Sequence, residues 1–278
     1  MKIGHRKLLL KRMLASFKKK FIKTSLIYYI YRYFKYKFKS FTSYGGSGED
    51  IFISKFFRNF KKGFYVDIGA LHPINGSLTY LLYKKGWNGI NIDMMQENLR
   101  LFDIFRKRDK NLDIAVSSSK GSINAYLFEV GSGLNTNHLK NATEWKHKIN
   151  KNFMIRKVRK NTLTNILKNN KVIKDFDFLN IDVEGHEFDV LKGLNLKKFR
   201  PKLISIEIHV LKTKDIFRSN IFKYLSKNNY ELVSQYKQTS FFTPKWFIKK
   251  NKEIRSIKIL SLKFQYISEL TRLLFLEI

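Results

Sequence analysis

From residue 64 onward, short apolar runs alternate with segments whose apolar residues recur at helical spacing. Phe64–Ile68, Gly89–Ile92, Leu112–Val116, Phe176–Ile181 and Leu203–Ile208 read as five strands. Ser77–Lys85, Gln96–Arg108, His186–Leu191 and Ile216–Ser226 read as helices between them, with Gly86 and Gly193 as C-terminal stops. Tyr230–Gln235 and Phe241–Ile248 are strand-like. Such alternation predicts an α/β domain with a parallel sheet covered by helices on both faces. The ligand crevice of that architecture lies beyond the carboxyl ends of the strands. Upstream, Glu49–Phe60 reads as a helix, and Ser43–Gly48 as the break before it. Residues 1–40 read as helix with polar interruptions. Ser117–Asp175 is too long for a single crossover, which predicts a small hairpin near Gly121–Phe128 and a mobile loop around Gly131–Trp145. The expected organisation is an arm over 1–42, one domain over 43–250 and a helical extension over 251–278.

Three acids stand at predicted strand ends: Asp67, Asp93 and Asp182. Parallel strand ends converge on one crevice, so acids far apart in sequence become neighbours there. An acid at the end of the second strand suits both hydroxyls of a ribose. An acid in the first turn, beside Gly69, suits the polar part of a nucleoside ligand. One such Asp alone would read as a helix N-cap; three at matched positions point to ligand binding.

Other chemistries fall away. The first turn, from Val66 to Ser77, holds Gly69 and Gly76 without the closely spaced pair that a dinucleotide pyrophosphate needs, and there is no phosphate-binding G-x-x-x-x-G-K-[ST]. With zero cysteines there is no disulfide framework, thiolate metal site or cysteine nucleophile. The longest apolar run, near Leu26–Tyr31, is far short of the ~20 residues that span a bilayer. No small-residue cleavage site follows a short apolar core near the start, which argues against a secretory signal. A cytoplasmic protein is expected.

Three stretches stand in order before residue 94: Ser43-Tyr-Gly-Gly-Ser-Gly-Glu-Asp50, Gly63-Phe-Tyr-Val-Asp-Ile-Gly-Ala-Leu-His-Pro73 and Thr79 to Asp93. Asn111-Leu-Asp-Ile-Ala-Val-Ser117, Asp177-Phe-Leu-Asn-Ile-Asp-Val-Glu-Gly-His-Glu187 with Val190-Leu-Lys-Gly193, and Arg200-Pro-Lys-Leu-Ile-Ser-Ile-Glu207 follow. In order and spacing these stretches resemble the FkbM-type methyltransferases. The resemblance implies a Rossmann-like class I methyltransferase fold, a mostly parallel central sheet flanked by helices, here preceded by the basic helical arm. It implies S-adenosyl-L-methionine as cofactor and methyl transfer, usually to oxygen. The His-Pro after the first turn looks like enzymes found among surface-polysaccharide genes, which implies a sugar hydroxyl of a glycan or glycolipid as acceptor. Carried over by position, Asp67 and Gly69 would frame the methionine end of the cofactor and Asp93 would hold the ribose diol. Asp113 and Ala115 would border the adenine, and Asp182 and Glu184 would face the methionine and acceptor region. The sequence departs from the family's pattern after Asp93, where Met94, Met95 and Gln96 replace a proline-containing turn.

A sugar hydroxyl is a poor nucleophile, so a general base helps. Candidates are Asp182, Glu184, His186, Glu187, Glu207 and His209. Glu184 and His209 are the preferred pair, with Asp182 beside them. A divalent ion on Asp182, His186, Glu207 and His209 ranks below a metal-free mechanism.

The chain carries 55 Lys and Arg against 22 Asp and Glu, a formal net charge of +33. Residues 1–40 hold 13 Lys and Arg and no acid, interleaved with Phe, Tyr, Ile and Leu. Such an arm suits an anionic membrane surface, placing the protein peripherally at the inner membrane face. A compositional bias explains the lysines equally well. Nucleic acid is the least favoured partner, with no RNA-recognition or helix-turn-helix signature in the sequence. The alternatives to glycan methylation are RNA methylation and a non-catalytic, membrane-held methyltransferase-like module.

Overall fold

The structure, a computed structural model, describes residues 42–210 and 213–251. The chain divides into two compact units, 1–42 and 43–278, and the sheets and helices named here belong to the second. The expected helical arm and the extension after Asn251 lie outside the described residues. Among the described residues no helix is long and apolar enough to cross a membrane.

Seven strands form the central sheet: β1 (Phe64–Ile68), β2 (Asn88–Asp93), β3 (Lys110–Asp113), β7 (Phe178–Ile181), β8 (Leu203–Glu207), β9 (Tyr230–Tyr236) and β10 (Thr239–Pro244). Their order is β3-β2-β1-β7-β8-β10-β9. The first five run parallel; β10 is antiparallel to both β8 and β9. The chain winds outward in both directions from β1 and β7. A crevice therefore opens beyond their carboxyl ends, at the switch point of the topology.

Period 2 along each strand sorts the core into two layers. Val66, Ile68, Ile90, Ile92, Leu179, Ile181, Ile204 and Ile206 face α5 (Leu163–Asn169), α6 (Glu187–Lys192) and α7 (Asn220–Lys227). Tyr65, Phe178, Leu203 and Phe241 face α1 (Glu49–Phe56), α2 (Tyr80–Lys84) and α8 (Lys245–Lys250). Burial on both faces explains the nearly continuous apolar runs of the parallel strands. A polar row crosses the second layer: Asn91, Asp67, Asn180 and Ser205 are cross-strand neighbours. Asn180 Nδ2 donates to Asp67 Oδ1 at 2.8 Å, and Ser205 Oγ donates to Asn180 Oδ1 at 2.6 Å.

The structure corrects four local readings. The expected third strand splits after Asp113: β4 (Ala115–Ser117) leaves the central sheet and pairs with β6 (Met154–Thr162). The strand β5 (Gly121–Leu127) forms no full local hairpin, only one antiparallel bridge from Tyr126 to Thr136; its main partner is β6, completing a three-stranded sheet. Part of the predicted loop over 131–145 is helical, because α4 (Leu139–Ile149) begins there; Ala142 alone is buried, so no apolar stripe marks it. At Pro244 the last expected strand gives way to α8, since proline has no N–H to continue a ladder and is suited to a helix start. The helix α3 (Gln96–Phe105) lies where expected and seats Leu99 and Phe102 against Ala70.

Candidate functional site

The ends of β1, β2 and β7 are stitched together by backbone hydrogen bonds. Gly69 N and Ala70 N donate to Ile92 O at 2.9 and 3.2 Å, and Asp182 N donates to Ile68 O at 3.0 Å. Gly69 has φ 82, and a Cβ there would lie 1.6 Å from the carbonyl oxygen of Asp182. Glycine is therefore required twice over, by conformation and by space. Above this floor opens a cavity of about 400 Å³, lined among others by Gly69, Asp93, Ala115, Asp182, Glu184 and Glu207.

Asp93 ends β2 and lines the cavity. Its Oδ1 accepts from Met95 N at 2.7 Å and its Oδ2 from Asn98 Nδ2 at 3.2 Å. Burial nevertheless pushes its carboxyl up to about 6. Each oxygen keeps a further lone pair for a ligand donor. Next to it Ile92, Met94, Ile114, Ala115 and Val116 form an apolar wall suited to a flat ring.

The turn after β7 carries the other acids. Glu187 is buried and its Oε1 accepts from Val183 N at 3.2 Å and Gly185 N at 2.9 Å, so this side chain shapes the turn. Glu184 adopts a left-handed φ of 53, and its carbonyl accepts from Thr136 Oγ1 and Asn141 Nδ2, both at 2.8 Å. Gly185 follows with φ 103, where a Cβ would lie 2.2 Å from Asn141 Nδ2. The N-cap of α6 is His186, without a side-chain cap bond, so neither Asp182 nor Glu184 serves as a helix cap.

Glu207 ends β8, and His209 Nε2 lies 3.3 Å from its Oε2. One donor atom each of Glu184, Glu207 and His209 falls within 4.8 Å of the other two. Burial, then the charges of Asp182 and Glu187, raises Glu184 to about 7. Burial, then Glu184, Glu187 and Glu49, raises Glu207 to about 7. Asp182 is held well above the usual carboxylate range, by burial first and then by Glu207 and Glu187. Like charges crowded in a partly dry cavity produce these shifts.

The structure thus gathers Gly69, Asp93, Ala115, Asp182 and Glu184 at the cavity, and His209 at its edge beside Glu207. Asp67 is not there. It is the penultimate residue of β1, so it faces the polar row under the crevice, where its Oδ2 accepts from Thr79 Oγ1 at 2.8 Å. Asp113 ends the edge strand β3 and is exposed, outside the cavity lining. The four-residue metal set is not assembled either. His186 Nε2 lies 3.1 Å from Ser117 Oγ, with Nδ1 turned to Asp189 at 3.6 Å. His72 shapes the first turn: its Nδ1 accepts from Ile74 N and Asn75 N at 3.1 and 2.9 Å.

Two groups escaped the reading of the chain. Glu49 lines the cavity, and its Oε2 accepts from Ser47 N at 2.7 Å; it sits in the Ser43–Asp50 stretch that carries the family resemblance, which was its signal. Arg106 is fully buried beneath the first turn. It donates to Pro73 O at 3.0 Å, Tyr65 Oη at 3.1 Å, Ser77 Oγ at 2.9 Å and Thr79 Oγ1 at 2.8 Å. No sequence signal distinguishes it from the other 54 basic residues.

No curated protein matches the chain. The profile of the family described as "Methyltransferase FkbM domain" matches residues 67–232, more than half of the sequence and the whole span from β1 into β9. With its mostly parallel sheet, its switch-point cavity and this match, the chain belongs to the FkbM methyltransferase family.

Proposed function

We propose that the protein is an S-adenosylmethionine-dependent O-methyltransferase whose acceptor is a sugar hydroxyl of a surface polysaccharide or glycolipid. One observation carries the reading. A single cavity at the switch point holds a buried carboxylate, Asp93, at the end of β2, and the acids Glu49, Asp182, Glu184 and Glu207 elsewhere in its lining. The residues present fit that cofactor: two hydroxyls for Asp93, an apolar wall for the adenine, and acids for positive charge. When bound, the cofactor supplies a methyl group made electrophilic by its sulfonium.

The protein's own part is positioning and proton removal. Asp93 holds the diol, and the bare backbone of Gly69 admits close approach. Asp182 accepts hydrogen bonds from an ammonium group. Glu184, fixed by its pinned backbone, takes the proton of the acceptor hydroxyl or orients that hydroxyl, with Glu207 and His209 beside it. Holding the reacting groups together supplies much of the acceleration in such displacements. The sugar hydroxyl itself rests on the resemblance of the His72-Pro73 turn to enzymes found among surface-polysaccharide genes.

The deciding experiment is incubation of the full-length protein with methyl-labelled S-adenosylmethionine and either a cell-envelope extract or RNA. Label in glycan or glycolipid supports the reading, label in RNA replaces the acceptor, and no binding of the cofactor removes the enzyme. We further propose that residues 1–42 rest on the anionic inner face of a membrane. Their 13 basic residues support this, each contributing about 1 kcal/mol near such a surface. Deleting them should abolish co-sedimentation with anionic vesicles; equal sedimentation of both forms would sink the idea.

A further inference from the structure

Two carboxylates and an imidazole meet at the edge of the cavity. Glu207 is the last residue of β8, and the chain runs on to His209 two positions later, where side chains lean to the same side of an extended segment. Glu184 reaches them from the neighbouring strand's exit, its backbone anchored by Thr136 and Asn141. The three donor atoms lie within 4.8 Å of one another. A divalent ion with bonds of about 2.0–2.2 Å brings neighbouring donors to about 3 Å and opposed ones to about 4.3 Å. The His209–Glu207 pair, at 3.3 Å, is close to the neighbouring spacing already, and Glu184 closes the remaining distance, at most about 2 Å, by turning its side-chain torsions. Among the described residues no side chain or backbone N–H donates to the Glu184 carboxylate, and the group that approaches the Glu207 carboxylate is His209. Two half-buried carboxylates thus stand beside one imidazole, and among the described residues no Lys or Arg forms an ion pair with either of them.

We propose that Glu184, Glu207 and His209 form a binding site for a divalent cation of the Mn²⁺ class. The donor set narrows the class to divalent first-row transition ions, of which Mn²⁺ is the probe. Two carboxylate oxygens and one imidazole nitrogen suit an ion that accepts both, whereas Mg²⁺ and Ca²⁺ favour oxygen alone. Three protein ligands leave the remaining coordination positions to water or to hydroxyl oxygens. Glu184 and Glu207 line the cavity, so an ion they hold stands at its wall, where an acceptor with neighbouring hydroxyls can bind it. One oxygen of each carboxylate suffices, so the second oxygen of Glu184 stays available for a hydroxyl proton. The role at the acceptor end rests on the methyl-transfer reading; the existence of the site does not.

The test uses the full-length protein, stripped with chelator and dialysed, then titrated with Mn²⁺ while the free ion is followed by electron paramagnetic resonance. One equivalent should disappear from the free signal. Glu207→Gln and His209→Ala should each weaken binding at least about tenfold. His209 is 40% exposed, so its replacement leaves the core intact and keeps the test valid if Glu207→Gln misfolds. A full free signal at stoichiometric Mn²⁺, or unaltered binding in His209→Ala, overturns the site. S-adenosylmethionine binding to the stripped protein is measured in parallel by calorimetry. Cofactor binding without Mn²⁺ binding overturns the cation site and leaves the methyl-transfer reading standing. Mn²⁺ binding without cofactor binding does the reverse.

Discussion

The carbonyl oxygen of Asp182 occupies the space that a side chain at Gly69 would fill: a Cβ there would lie 1.6 Å from it. This contact brings the turn after β1 against the end of β7 and sets the floor of the cavity. Gly69→Ala forces either the backbone of residue 182 or that of the first turn to move, at a φ of 82 that alanine also disfavours. The expected destabilisation is at least about 2 kcal/mol, read from the midpoint of denaturant unfolding, with cofactor binding lost alongside. A stable variant with normal affinity would mean that the two turns are not held this close.

Asp93 is predicted to carry much of the affinity for the cofactor's ribose. Two charge-assisted hydrogen bonds contribute about 1.5–3 kcal/mol each. Asp93→Ala should therefore weaken S-adenosylmethionine binding at least tenfold in calorimetry. The same substitution leaves Met95 N without its acceptor, so a modest fall in melting temperature is also expected. Unchanged affinity in the folded variant removes the ribose assignment.

For Glu184 the structure separates catalysis from capping, since α6 has no side-chain cap. Glu184→Gln should keep S-adenosylmethionine affinity within a few fold, while turnover on the envelope acceptor falls by ~10²-fold or more, the contribution of a general base. Near-normal turnover would move the proton acceptor to His209 or leave positioning alone.

Stability of the ligand-free protein should depend on pH through the same acids. Glu184 and Glu207 titrate near 7 in the folded state against an ordinary 4.5, so the folded protein binds more protons than the unfolded chain between these values. Their contribution is fully present below about 4.5 and is lost as pH rises towards about 7. Glutamine cannot ionise, so the Glu184→Gln and Glu207→Gln proteins should gain melting temperature over the parent as pH rises through that window. Comparison with the parent at each pH cancels the effect of the overall +33 charge. An unchanged difference across the window would show that these carboxyls titrate normally. A positively charged ligand favours the ionised acids, so its affinity should rise over the same interval.

The alternation of strands and helices, the sheet's parallel character and the place of the crevice were determined by sequence alone. Strands buried on both faces are mostly apolar, and β1, β2, β7 and β8 are so apart from the polar row and the polar residues at their ends. Asp93 and Asp182 were legible for a related reason: parallel strand ends converge, so an acid there reaches the cavity whatever the loops do. Tertiary structure decided the rest. Asp67 stands one residue before the end of β1, and period 2 turns it from the crevice into the polar row beside Asn180. The pairing of β4 and β5 with β6 spans tens of residues and leaves no local trace. Arg106 looks like any surface cation until the fold closes Tyr65, Ser77 and Thr79 around it. The meeting of Glu184, Glu207 and His209 depends on how far two loops reach beyond adjacent strands, a distance set by backbone geometry and packing that residue types alone do not encode.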